Sequence, residues 1–214
     1  TATNQATTAT NQDTTEASHV RYTDVAAASS NAVVSSEDLT QATPISCSIA
    51  GQPGYPRNVT LDITDSDTSI TDFQITVTGT LADGQTGQTE TFVFADGLSQ
   101  TGNKAFAVID SVTVDSISGD NAGDVLDVGL GNKLGLPVRN LSGVYKESVG
   151  NANETVGTVN TTYGTIEPTT SPDGTKSYDF WYTYLHTHTQ DSHNHTQNSH
   201  THSQIAHNHD LETS

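Results

Sequence analysis

Apolar and polar residues alternate from Pro44 onward in short runs that read as half-buried β-strands. Val59-Thr60-Leu61-Asp62-Ile63-Thr64 and Phe73-Gln74-Ile75-Thr76-Val77-Thr78 place every second residue on one apolar face, the period of a strand with one side in a core. Thr91-Phe92-Val93-Phe94, Ala105-Phe106-Ala107-Val108-Ile109 and Val112-Thr113-Val114-Asp115-Ser116-Ile117 continue the series. Turn residues separate the runs at Asp83-Gly84, Asp96-Gly97, Thr101-Gly102-Asn103 and Ser118-Gly119-Asp120; glycine supplies positive φ there, and Asp or Asn bonds its own backbone. Strands of about five to eight residues at this spacing predict an all-β fold, an antiparallel β-sandwich.

The run Asp127-Val128-Gly129-Leu130-Gly131-Asn132-Lys133-Leu134-Gly135-Leu136-Pro137 breaks the alternation. It lacks the Gly-Lys-Ser/Thr ending of a phosphate loop, so it reads as a strand leaving the sandwich through a glycine-permitted kink, with Pro137 ending the ladder. Further strands are expected over 138–185, with turns at Gly150-Asn151, Gly164 and Ser171-Pro172-Asp173-Gly174. The last strand, Tyr178-Asp179-Phe180-Trp181-Tyr182-Thr183-Tyr184-Leu185, holds the only Trp and three of the seven Tyr. Before Pro44 the pattern is different. Ala2-Thr3-Asn4-Gln5-Ala6-Thr7-Thr8 is followed by Ala9-Thr10-Asn11-Gln12-Asp13-Thr14-Thr15, a repeat with nothing apolar larger than Ala. Such a segment cannot bury a core and reads as an extended arm laid on a neighbouring subunit or a flexible leader. Residues 16–43 admit a short helix or a further extended stretch. The expected organisation is an N-terminal arm over 1–43, the sandwich over 44–185 and a distinct tail over 186–214.

That tail carries four His-x-His units seven residues apart: His186 and His188, His193 and His195, His200 and His202, His207 and His209. In an extended chain, residues i and i+2 project to one side about 6.6 Å apart, so both imidazoles of a unit can converge on one ion. On a helix they would not share a face, and the residues between units supply no apolar seam for a coiled coil. One chain offers two nitrogen donors per rung, whereas zinc takes about four ligands and an octahedral ion about six. Three chains around an axis supply six. The spacing therefore predicts a homotrimer holding four divalent ions, iron or nickel by geometry with zinc as the alternative. A loosely metal-binding His-rich tract is the plainer reading.

The ladder resembles the needle at the tip of the long tail fibres of T-even-type bacteriophages, in which three intertwined chains coordinate a row of iron ions octahedrally. The likeness covers residues 186–209, and only Asp210 to Ser214 follow them here. A looser likeness, over about 56–137 and centred on Gly129-Leu130-Gly131-Asn132-Lys133-Leu134-Gly135-Leu136-Pro137, is to β-domains of tailed-phage structural proteins. Together these resemblances imply a virion location, a C-terminal intertwined trimeric needle threaded by metal, contacts with other capsid, neck or tail proteins, and attachment to a host-surface receptor as a further role.

Composition narrows the partners. Hydrophobic residues make up 32% of the 214, below the usual ~45–50%, so only part of the length is expected to form a compact core. Seven Lys and Arg against 25 Asp and Glu give a formal charge of -18, which argues against nucleic acid and anionic membrane surfaces as partners. Three such chains would carry three times -18, or -54, and four divalent ions would not neutralise them. Repulsion on that scale is tolerated where salt screens it, with a Debye length of about 3 Å at molar ionic strength. A halophilic or marine setting fits, as does an ordinary acidic surface. No apolar run approaches the ~20 residues of a transmembrane helix.

Catalysis is not expected. Cys47 is the only cysteine, so it forms no intrachain disulfide, and no His lies near it in sequence. The eight tail histidines belong to a repeat that no single active site needs, and six His ligands leave an ion no open position for water or substrate. Asp62, Asp65, Asp67 and Asp72 form an acidic cluster, but Asp65-Ser66-Asp67 lacks the Gly and Glu of an EF-hand loop and reads as a solvated turn. The leading expectation is a tailed-virus fibre or spike protein. The alternatives are a capsid decoration or neck protein laced to the shell by its N-terminal arm, and a secreted or cell-surface metal-binding protein.

Overall fold

The computed structural model describes residues 12–188 of the chain. Its strands are β1 (Gln12–Tyr22), β2 (Ser29–Asp38), β3 (Ile45–Ser46), β4 (Arg57–Thr64), β5 (Asp72–Leu81), β6 (Gln88–Val93), β7 (Ser99–Ser118), β8 (Val125–Gly135), β9 (Leu141–Val149), β10 (Ala152–Glu154), β11 (Thr158–Asn160), β12 (Thr165–Glu167) and β13 (Tyr178–His188). Among the described residues the only helical element is a single 3-10 turn at Phe94–Asp96. The fold is therefore all-β, as the alternation predicts.

Two antiparallel sheets contain these strands. The larger has nine, in the order β11-β12-β8-β4-β7-β5-β6, with β2 added on β8 and β3 on β7; it curls into a half-barrel. The smaller has four, in the order β1-β13-β9-β10. Alternation sets which face is buried. Val59, Leu61 and Ile63 of β4 point inward, as do Phe73, Ile75 and Val77 of β5, and they meet Phe106, Ile109, Val112 and Val114 of β7 and Leu126 and Val128 of β8 inside the curl. A second cluster joins the small sheet to the end of the large one: Tyr178, Phe180 and Tyr182 of β13, Leu141 and Val149 of β9, Tyr22, Leu134, Leu136 and Ile166. Burying each such side chain contributes roughly 1.5–3 kcal/mol relative to exposure, so these two clusters carry most of the apolar stabilisation.

Of the two forms open for residues 16–43, the extended one is found. β2 pairs along β8 and buries Val33 and Val34, with Leu39 just beyond its end; β1 pairs with β13. Residues from Asp13 to His186 form one compact unit, so the part of the expected arm from Asp13 onward belongs with the sheets. Residues 1–11 lie outside the described part of the chain.

Most expected turns hold. Gly84, Gly97, Gly119, Gly150, Gly164 and Gly174 all have positive φ. Thr101-Gly102-Asn103 does not turn, because β7 runs unbroken through it for 20 residues. Opposite it β4 advances from Asn58 to Thr60 while β7 moves from Ala105 to Thr101, so Gly102, Asn103 and Lys104 bulge out of the ladder. The kink expected in the glycine run is likewise a bulge: β4 advances from Arg57 to Val59 while β8 moves from Leu134 to Leu130. Extra residues of this kind bend a strand and re-aim its side chains. Gly131 is required there because a Cβ would lie 2.5 Å from the buried Asn58 amide.

Candidate functional site

β13 is the element that leads to the histidine ladder, and alternation along it sorts its side chains into two columns. Tyr178, Phe180 and Tyr182 are buried on the inner side, and Tyr184 packs against the same cluster. His186 continues that column and is exposed. The strand remains extended through His188, the backbone form that a His-x-His rung needs. His193, His195, His200, His202, His207 and His209 lie outside the described residues.

The outer column, Asp179, Trp181, Thr183 and Leu185, meets β1 and β9. His19 Nε2 lies 2.9 Å from Asp179 Oδ1, and Arg21 Nη1 is 3.7 Å from Asp179 Oδ2. The His19 ring stacks on Trp181 at 4.6 Å, and Lys146 Nζ sits 4.2 Å from the same indole, within cation–π range. Further along, the Tyr184 hydroxyl donates to Glu16 Oε2 at 2.7 Å, an interaction that raises the phenol's pKa. Leu185 N–H donates to Asn140 O at 3.0 Å. β13 is thus held on both edges up to the first rung. Sequence reading missed His19, which stands in a polar stretch with nothing nearby to mark it; its partners Asp179 and Trp181 are some 160 residues away.

Beneath β13, Tyr22 and Glu147 are committed to backbone. Buried Tyr22 donates its hydroxyl to Gly135 O at 2.5 Å, and burial pushes its pKa up. Glu147 accepts Gly157 N–H at 2.8 Å and Thr169 N–H at 3.3 Å; burial nevertheless raises its carboxyl above the usual range. Tyr178, whose hydroxyl is buried without a hydrogen-bond partner, is pushed up to about 12, chiefly by burial.

The acidic cluster forms differently from the sequence expectation. Asp65 and Asp67 are joined by Asp124, with ligand oxygens of the three within 4.8 Å of one another; Asp62 and Asp72 are not part of the group. Asp65 receives Ser69 and Ile70 N–H, Asp67 receives Ser69 N–H and the Asn121 amide, and Asp124 receives Ser66 and Asn121 N–H. Those bonds hold the Asp124 carboxyl below its ordinary range. The group therefore closes two loops onto each other. No local spacing links Asp124 to the other two, which is why sequence did not show it.

Two other places could carry chemistry. Cys47 is half-buried, and burial with the nearby Glu37 charge pushes its thiol up to about 11, where the nucleophilic thiolate is scarce at neutral pH. An open cleft of about 430 Å³ lies between Leu81, Leu136 and Leu141 on its floor and Lys104, Arg139 and Tyr163 on its rim. Its one carboxylate, Asp83, is paired with Arg139 at 3.3 Å. No protein-family model, curated protein or solved structure matches this chain.

Proposed function

We propose that this chain is a virion structural protein of a tailed virus, the subunit of a homotrimeric fibre or spike. An antiparallel β-sandwich, made by the small sheet over the β8 and β12 end of the large one, carries a C-terminal needle. In the needle, metal ions bind His186 with His188, His193 with His195, His200 with His202, and His207 with His209. The metals are structural: they lock register and stiffness into a segment too polar to fold by burial, since metal binding supplies folding free energy directly.

The observation that supports this reading is the continuity of β13. A strand anchored by three buried aromatic rings runs without a break into the first rung and is still extended at His188. A tail begun this way has its register set before the first ion is met. A flexible metal-scavenging tract would need no such base.

Native mass spectrometry with metal analysis on the full chain tests the proposal. A trimer with four ions, about 1.3 per chain, that survives dilution is the expected result. A monomer binding about one ion per His pair would instead favour a secreted or cell-surface metal-binding protein and would overturn the fibre reading.

A further inference from the structure

The two bulges described above face each other across β4, and they bring together a lysine, an asparagine and a half-buried carboxyl. β7 and β8 both pair with β4 and so lie two strand spacings apart, about 10 Å. The bulge Gly102-Asn103-Lys104 on β7 and the bulge Gly131-Asn132-Lys133 on β8 occur at the same level, around Asn58 and Val59. Half-buried Lys133 reaches over β4: its Nζ lies 2.9 Å from Asn103 Oδ1 and 3.0 Å from Gly102 O. Asn58 holds the arrangement from below, accepting Lys133 N–H at 2.9 Å and donating to Gly102 O at 3.2 Å.

Glu90 of β6 completes the group. Its Oε1 accepts Asn103 N–H at 2.6 Å and Lys104 N–H at 3.3 Å, while its Oε2 is buried with no hydrogen-bond partner. That second oxygen lies against Gly102, where a Cβ would come within 2.5 Å of it. Burial raises the carboxyl above its usual range despite the two N–H donors and the nearby Lys104 and Lys133 charges.

We propose that Lys133 and Asn103 join covalently in an intramolecular isopeptide bond. Lys133 Nζ attacks Asn103 Cγ, whose carbonyl is polarised by the existing contact at Oδ1. The Nζ–Cγ bond forms, the Cγ–Nδ2 bond breaks, and the amide nitrogen leaves as ammonia, taking up the surplus lysine protons as ammonium. No oxidant, reductant or co-reactant is consumed. Glu90, bonded to Asn103 N–H through Oε1 and with Oε2 uncommitted, is the carboxyl that would carry the proton between the two nitrogens. Both acceptors of Lys133 Nζ are neutral oxygens, so no ion pair has to be broken before the attack. The product would strap β7 to β8 over β4 and close the curl of the large sheet. This inference does not depend on the trimer or on the metals.

Intact mass of the purified, folded chain is the test, followed by peptide mapping. The expected result is a mass lower than the sequence value by one ammonia, with a branched peptide linking the Asn103 and Lys133 segments. Lys133→Arg, Asn103→Ala and Glu90→Gln should each return the full sequence mass. A wild-type chain at full sequence mass after prolonged incubation overturns the proposal. So does loss of ammonia without the branched peptide, which would mark cyclisation of an asparagine onto its own backbone. The wild-type measurement decides the matter even if a variant fails to fold.

Discussion

Arg57 offers a direct measure of how this fold treats a buried charge. It is 2% exposed on β4, yet no carboxylate faces it among the described ion pairs. Its guanidinium is spent on backbone oxygens: Nε donates to Gly131 O at 2.7 Å and Nη2 to the same oxygen, while Nη1 donates to Ala26 O at 2.6 Å and Ala27 O at 3.3 Å. Burial lowers its pKa from the ordinary value, but a guanidinium stays charged at any working pH. Arg57→Met keeps the volume and removes the donors. Hydrogen bonds from a charged group contribute about 1.5–3 kcal/mol each, and the substitution leaves the Gly131 carbonyl unpaired in the core and releases the 26–27 carbonyls to water. Relief of the cation's desolvation offsets part of this. The expected net loss is about 2–4 kcal/mol, a large share of a typical stability of roughly 5–15 kcal/mol. Urea denaturation followed by Trp181 fluorescence reads the global loss, and hydrogen exchange over residues 23–28 reads the local release. A loss under about 0.5 kcal/mol with unchanged exchange over 23–28 would refute the argument.

Three other outcomes are expected. Glu147 has a folded pKa raised above its unfolded value, so the native state binds more protons and this group's contribution falls as pH rises. The stability of wild type relative to Glu147→Gln should therefore increase as pH is lowered through the raised folded value toward the unfolded reference of about 4.3; a flat or reversed difference in urea midpoints would falsify the assignment. Asp179→Asn removes the charge that holds His19 and Arg21, and exchange over residues 15–22 should quicken while that of β7 is unchanged. Imidazole must be neutral to bind metal, so a chelator, or a pH well below the histidine reference of about 6.5, should release the proposed ions and dissociate the trimer; a trimer that persists metal-free would count against the ladder.

Period-two alternation was enough to read β4, β5 and most of β7 with their buried faces, because one side of each strand packs in a core and the other meets solvent. Glycine misled in two places. Thr101-Gly102-Asn103 has turn composition, but Gly102 is there so that Glu90 and the Val59 carbonyl can approach the backbone, and the strand continues through a bulge. Gly131 clears space for Asn58 in the same way. A close approach and a turn call for the same residue, and only the partner, 12 or more positions away, distinguishes them. β1 and β2 were hard to read for a different reason. β2 buries Val33 and Val34 side by side at a register shift against β8, so its pattern lacks clean alternation. The candidate ladder was legible from spacing alone, whereas the clamp of Glu16, His19 and Arg21 on β13 was not, since it depends on the pairing of the first and last described strands, β1 and β13.

Most charged groups under the surface share one arrangement, Asp179 with its His19 and Arg21 pairs being the exception, and it bears on how the protein should respond to salt. Arg57 is held by carbonyls; Asp124, Glu147 and Glu90 are held by N–H groups. Opposite charge plays a small part, with four ion pairs among the described residues, two of them sharing Asp179. Charge-to-backbone bonds act at contact distance and are little affected by mobile ions, whereas the mutual repulsion behind a net charge of -18 acts over many ångströms. Raising ionic strength from about 0.1 M to about 1 M shortens the Debye length from about 10 Å to about 3 Å. It should therefore weaken the repulsion far more than the attractions. The urea midpoint of the folded chain is expected to climb steadily with sodium chloride over that range. A midpoint that falls would mean that surface ion pairs, not backbone-held charges, carry the electrostatic stability of this fold.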